Sequence, residues 1–106
     1  MIRKNRVKAK LMAGEKAFGI WLQSADPTFA EISSLIGFDA FIMDQEHGPG
    51  GVQAAIDMAR AAAVTDTTSI VRVPSSDPIY IRRILDGGVE GVLVPMVETA
   101  SQAKSI

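Results

Sequence analysis

At 106 residues the chain can bury one core and is too short for two domains. Hydrophobic residues make up 47% of it and charged residues 22%, a balance that excludes a disordered chain. Eleven basic against twelve acidic residues leave a net charge of −1, so no general field draws nucleic acid or an anionic membrane, and the lack of cysteine excludes a disulfide framework, a thiol nucleophile and thiolate-bound zinc.

The first ten residues carry Arg3, Lys4, Arg6, Lys8 and Lys10 and no acid. A nucleic-acid arm is one reading; a helix with a solvated basic face above Ile2, Val7, Leu11 and Met12 is preferred. No signal-peptide stretch follows, and no run approaches the roughly 18 apolar residues of a membrane span. A cytoplasmic protein with neither nucleic acid nor membrane as partner is therefore expected.

Phe18 to Leu22 predicts a first strand, short, apolar and bounded by polar or glycine punctuation. Asp26-Pro27 then opens a helix, with an N-cap followed by proline at the first helical position, and Gly37 closes it. Ala40 to Met43 predicts a second strand, and Val52 to Val64 an alanine-rich helix suited to packing on a sheet. Ser69 to Val73 reads as a third strand. Asp77-Pro78 repeats the helix start, Gly87-Gly88 repeats the stop, and Val92 to Val97 reads as a fourth strand before a helix that begins near Glu98.

Strands near 20, 42, 71 and 93 alternate with helices, which implies a parallel α/β sheet. Gly37-Phe38-Asp39-Ala40-Phe41-Ile42-Met43-Asp44 is weakly echoed by Gly88-Val89-Glu90-Gly91-Val92-Leu93-Val94-Pro95. Four βα units are half of an eight-fold barrel, which takes about 250 residues. Residues 1–106 are thus expected to form a single partial TIM-barrel domain. It would be the front of a longer barrel, or a half-barrel that covers its open sheet edges by association.

The chemistry collects where the predicted strands end, as in parallel α/β folds generally. The second strand stops at Asp44-Gln45-Glu46-His47, which holds two carboxylates and the chain's single histidine, and then opens into Gly48-Pro49-Gly50-Gly51. His47 is a candidate proton acceptor in that setting and a surface or structural residue otherwise. Arg72 sits inside Ile70-Val71-Arg72-Val73-Pro74, where alternation places it with Ile70, opposite Val71 and Val73. A guanidinium there needs an anionic ligand or a structural carboxylate such as Asp44, and the residues favour neither. Trp21 and Gln23 end the first strand, and Met96 and Glu98 follow the fourth, outlining one polar and aromatic mouth. No GxGxxG, P-loop or GxSxG motif follows any strand, and the lysines avoid the strand ends, so phosphate-loop, serine-hydrolase and Schiff-base chemistry are set aside.

Gly19-Ile20-Trp21-Leu22, Gly37-Phe38-Asp39, Met43 to His47, Val71-Arg72-Val73-Pro74, Asp77-Pro78, Ile84 to Gly88 and Leu93 to Val97 fall in an order that resembles the N-terminal part of the HpcH/HpaI-type aldolase/citrate lyase family. Within it the likeness is to the metal-dependent 2-oxo acid aldolases, such as 4-hydroxy-2-oxoheptanedioate aldolase and the 2-dehydro-3-deoxy-sugar-acid aldolases. The resemblance implies a TIM barrel of the phosphoenolpyruvate/pyruvate type, homo-oligomers, and reversible cleavage of a 2-oxo acid to pyruvate and an aldehyde through an enolate. It implies that His47 is the base and that Asp86 orients it as a dyad. Arg72 would hold the pyruvate oxygen, Trp21 would line the pocket with Gln23 and Met96, and Asp44 and Glu46 would support the site. A divalent metal (magnesium, manganese or cobalt) is implied as cofactor, with its ligands beyond Ile106 and none within the chain. Gln45 departs from the small residue expected between Asp44 and Glu46, which bears on the pocket's shape. The rival readings are a catalytically incomplete half-barrel or association module, and a related acyl-CoA lyase.

Overall fold

A computed structural model describes residues 3–106. The elements run α1 (Arg6–Met12), β1 (Gly19–Leu22), α2 (Pro27–Leu35), β2 (Ala40–Asp44), α3 (Val52–Ala62), β3 (Thr68–Arg72), α4 (Pro78–Asp86), β4 (Gly91–Leu93) and α5 (Ala100–Ser105). The strands form one parallel sheet in the order β1-β2-β3-β4. This is the strand–helix succession of a TIM barrel, of which four βα units are present.

The helix starts form as their sequences dictate. Asp26 and Asp77 each accept the backbone N–H two residues on, at 2.9 Å in both cases, and proline follows each cap. Gly37 and Gly88 take φ of 99° and 96°, the left-handed turn that ends a helix and favours glycine. The fourth strand is shorter than the expected Val92–Val97. It stops at Leu93 because Pro95 offers no N–H to a ladder and Met96 turns the chain at φ 59°.

Alternation divides the sheet into two unlike faces. Phe41, Met43, Val71 and Val73 are buried against the helices, together with Ala30, Ala55, Met58, Ala62 and Ile84. Small residues let α2 lie close to α3, and the buried Ser33 and Ser34 hydroxyls are satisfied by donating to the carbonyls of Phe29 and Ala30. The opposite face, which would line a barrel's interior, carries Trp21, Ile42, Asp44, Ile70, Arg72 and Leu93; α1 meets its lower end, where the Val7 N–H donates to Thr68 Oγ1 at 3.3 Å, and the end with Trp21, Asp44 and Arg72 lies away from α1.

The N-terminal segment departs from its expected role. Leu11 and Met12 are 60% and 81% exposed rather than packed beneath a solvated basic face, and Ile2 lies outside the described residues. The cations are what engage. Arg6 Nε and Lys10 Nζ meet Asp39 Oδ1 at 2.9 and 2.8 Å, and Arg3 Nη2 meets Glu90 Oε2 at 2.8 Å. Asp39 is buried, so its charge demands partners, and α1 brings them to the strands' N-terminal end. Hydrogen bonding from Lys10, then from the Phe18 N–H, holds the Asp39 carboxyl below its usual range. Among the described residues no helix is long and apolar enough to cross a membrane.

Candidate active site

Parallel pairing sets Asp44 directly beside Arg72 at the carboxyl ends of β2 and β3. Their even spacing from Ile42 and Ile70 turns both side chains to the face opposite the α2–α4 layer. Arg72 Nε donates to Asp44 Oδ1 at 3.0 Å and Nη2 donates to Oδ2 at 2.7 Å, a two-point fork. Arg72 Nη1 also stands 3.2 Å from Glu46 Oε2. Trp21, from β1, completes the cluster: its indole N–H donates to Asp44 Oδ2 at 3.3 Å, and the guanidinium carbon lies 4.7 Å from the ring centroid. That distance is within cation–π range.

Asp44 is fully buried and is the hub of the site. Besides Arg72 and Trp21, it accepts the backbone N–H groups of Glu46 at 3.0 Å and His47 at 3.1 Å. The Arg72 hydrogen bonds outweigh burial and hold this carboxyl far below the usual range, so Asp44 stays ionised and moves no proton. The same pairing raises Arg72 further. Of the two readings open for Arg72 in the sequence, the ion pair with Asp44 forms. It does not exhaust the guanidinium, which has five N–H donors and gives only two of them to Asp44.

The loop after β2 is held tightly. A Cβ at Gly48 would overlap the Asp44 carbonyl oxygen and come within 2.8 Å of the Gln23 carbonyl, so only glycine lets the chain turn there. The turn carries His47 out to the rim, where its side chain is 65% exposed with Nε2 3.8 Å from Glu46 Oε2. Gln23 is exposed beside the same turn. Met96 lies beyond the end of β4, exposed, at the same end of the sheet.

The expected dyad does not form within the chain. Asp86 is the last residue of α4, which runs back from the end of β3 toward the start of β4. A nine-residue helix is about 13 Å long, so Asp86 stands at the opposite end of the layer from His47. It is exposed on a groove lined by Ile81, Arg82, Leu85 and Ile106.

Gln45 has a role its position alone did not reveal. It is buried and points to the helix side, where Nε2 donates to Gly51 O at 2.6 Å and Oε1 accepts the Tyr80 hydroxyl at 2.8 Å. It therefore ties the glycine loop to α4 and leaves the mouth's shape to its neighbours. Strand alternation, by which Gln45 follows Met43 rather than Asp44, is the signal that would have found this. The Trp21–Arg72 stack was likewise legible only once strand register was known.

Among the described residues no three His, Asp or Glu side chains converge as a metal site. Asp44 and Glu46 face the Arg72 cation, so this cluster is unsuited to a divalent ion. A cavity of ≈ 650 Å³ beneath α1, lined by Arg3, Lys4, Arg6, Lys10, Glu15 and Asp66, lies at the other end of the strands. Its Arg3, Arg6 and Lys10 are already paired with Glu90 and Asp39, so it offers little net charge to a ligand.

A parallel TIM-barrel sheet with an arginine, an aromatic ring and a histidine at its carboxyl rim is the framework of a small-molecule site at strand ends. Residues 17–106 match the family described as HpcH/HpaI aldolase/citrate lyase, and the chain belongs to that family. It is 39% identical over 102 residues to a hydroxypyruvate/pyruvate aldolase of Agrobacterium fabrum, covering 96% of this chain and 38% of that protein. It is 44% identical over 103 residues to a 4-hydroxy-2-oxovalerate aldolase of Novosphingobium aromaticivorans, covering 96% and 39%. The crystal structure of an HpcH/HpaI aldolase from Desulfitobacterium hafniense superposes with a TM-score of 0.86 at 30% identity, covering 94% of this chain and 39% of that one. The chain thus spans about two fifths of the length of the relatives it matches.

Proposed function

We propose that this chain supplies the oxyanion-binding half of a class II-type aldolase, a carbon–carbon lyase that cleaves a 4-hydroxy-2-oxo acid to pyruvate and an aldehyde. The observation that carries the reading is Arg72, held at the strand rim by Asp44 and Trp21 with donors left to spend. In the cleavage, a base takes the proton of the C4 hydroxyl. The C3–C4 bond breaks, the aldehyde carbonyl forms, and the bond's electron pair passes through C3–C2 onto the 2-oxo oxygen. The products are the aldehyde and the pyruvate enolate, which is then protonated at C3. Arg72 suits the enolate oxygen, since a preorganised donor stabilises charge where it develops. His47 suits the proton steps, being exposed at the same rim with an imidazole whose ring nitrogens can accept and return a proton. Trp21 forms an apolar wall. No step is assigned to a divalent ion, because the residues described do not fit one.

Deuterium exchange into the pyruvate methyl group, followed by NMR with and without added Mn²⁺, tests the reading. Exchange is expected from the protein and is expected to be lost in Arg72→Met and His47→Ala. Undiminished exchange in Arg72→Met would refute the assignment.

One observation favours the rival reading of a catalytically incomplete module, namely that Asp86 is a helix length from His47. A folded chain with no exchange under any of these conditions would support that rival.

A further inference from the structure

Two consecutive residues at the end of β2 hold the loop that follows from opposite faces of the sheet. Asp44 holds its start from the mouth side by accepting the Glu46 and His47 N–H groups. Gln45 holds its end from the helix side. The Gln45 N–H donates to Arg72 O at 2.9 Å, so the ladder runs one residue past the Asp44–Arg72 pair and turns the Gln45 side chain inward with Met43. There Nε2 reaches the Gly51 carbonyl and Oε1 receives the Tyr80 hydroxyl. Between the two anchors lie Glu46 and His47, the residues that face Arg72 and the rim.

The glutamine is matched to this place by its chemistry rather than by its size. A carbonyl only accepts and the Tyr80 hydroxyl has a proton to give, so the link needs a donor and an acceptor on one side chain. Glutamate lacks the donor, methionine lacks both, and asparagine is a methylene too short. Gly51 is the N-cap of α3 and has no side chain with which to hold itself, while Tyr80 stands in the first turn of α4. One buried amide therefore joins β2, the head of α3 and the head of α4, beneath the mouth and without lining it. Gly50 adds to the fit: a Cβ there would overlap Met43 Cε and come within 2.9 Å of Ala25 Cβ, so the end of the loop lies directly on the core. The link joins the two inner strands and their helices, and neither sheet edge takes part in it.

We propose that Gln45, itself fixed by Tyr80, is a positioning residue: it sets the loop that carries His47 at the separation from Arg72 that proton transfer and enolate binding need together. The inference rests on the proposed lyase function. Arg72 keeps its place through Asp44 and Trp21 when Gln45 is altered, because those contacts lie on the other face of the sheet. Loss of the link therefore separates the two roles, leaving substrate affinity with Arg72 and moving the base.

The test compares Gln45→Met, Tyr80→Phe and the core variant Ile84→Val, each checked for folding by circular dichroism, in two measurements. In deuterium exchange into pyruvate, Gln45→Met is expected to lower kcat about ten- to a hundredfold with KM within about twofold, the pattern of a misplaced reacting group with binding intact. Tyr80→Phe is expected to do the same to a smaller degree. Ile84→Val, buried but toward the far end of α4, is expected to leave both constants in place. The second measurement is the NMR resonance of the His47 imidazole at fixed pH, which is unambiguous because the chain has a single histidine. It is expected to shift and broaden in Gln45→Met and Tyr80→Phe, and not in Ile84→Val. Unchanged kcat in folded Gln45→Met, a rise in KM instead, or a His47 resonance that stays in place would overturn the inference. Absence of exchange from the unaltered protein would refute the proposed function and not this placement; the resonance then decides whether Gln45 sets the loop. Tyr80→Phe carries the same test if Gln45→Met fails to fold.

Discussion

Asp44 and Arg72 are direct neighbours across β2 and β3, and their side chains meet through two hydrogen bonds on the face of the sheet opposite the α2–α4 layer. The pairing orients the guanidinium and gathers the Trp21 indole and the turn after β2 onto one carboxylate. A buried anion thereby becomes the fixed point of the rim.

Acid should release that anchor. The Asp44 carboxyl is held below its usual range in the folded chain, chiefly by Arg72, so its contribution to stability is present in full above the unfolded carboxylate range, near pH 4, and is lost as pH falls through the lower folded value. Asp39, held down by Lys10, adds a contribution of the same sign. Thermal melts should therefore change little for these groups between pH 7 and about pH 5 and fall steeply below about pH 4. Asp44→Asn should melt lower at neutral pH and show a shallower acid slope. An unchanged slope would contradict this role.

Two glycines in one loop should respond oppositely to alanine. At Gly48 the new methyl meets the Asp44 carbonyl and the Gln23 carbonyl, both backbone and unable to rotate away, whereas at Gly51 nothing lies within 4 Å. Gly48→Ala should cost about 1–3 kcal/mol, as overpacking does. Gly51→Ala should stay within about 0.5 kcal/mol. Urea unfolding of the two variants reads the contrast.

Gln45 and Tyr80 should be energetically coupled. The hydroxyl donates to the buried amide oxygen at 2.8 Å, and burial pushes the phenol up from its ordinary pKa. A double-mutant cycle of Gln45→Ala and Tyr80→Phe should return a coupling of about 1 kcal/mol, the usual net worth of a hydrogen bond. Additive effects would mean that the loop is held by other contacts.

Trp21 is the chain's single tryptophan, so its emission reports the rim directly. Oxalate, a planar mimic of the pyruvate enolate, should change that emission by competing for the Arg72 donors beneath which the ring lies. In Arg72→Met the apparent affinity should fall roughly tenfold or more, the worth of a hydrogen bond to a charged group. A titration that is the same in both proteins would exclude Arg72 from the anion site.

Much of the architecture was legible before any coordinates. The helix starts at Asp26-Pro27 and Asp77-Pro78, the stops at Gly37 and Gly88, and the placing of Arg72 opposite Val71 and Val73 all appear where expected. These are properties of a few adjacent residues, since caps, left-handed glycines and two-residue alternation depend on local backbone geometry. The same locality made the tail of the fourth strand misleading. Its apolar run continues to Val97, but a proline and a left-handed methionine end the ladder at Leu93.

The sequence by itself therefore determined a parallel α/β chain with Asp44, Glu46, His47 and Arg72 at its strand ends. Only the tertiary structure decided which of those charges meet. It gave Arg72 to Asp44, turned Gln45 toward Tyr80, engaged Arg3, Arg6 and Lys10 with Glu90 and Asp39, and set Asp86 a helix length from His47. Each of these outcomes depends on strand register or helix direction across long separations in the chain. A one-residue slip would send every side chain of a strand to the other face, and no local pattern of residues encodes that choice.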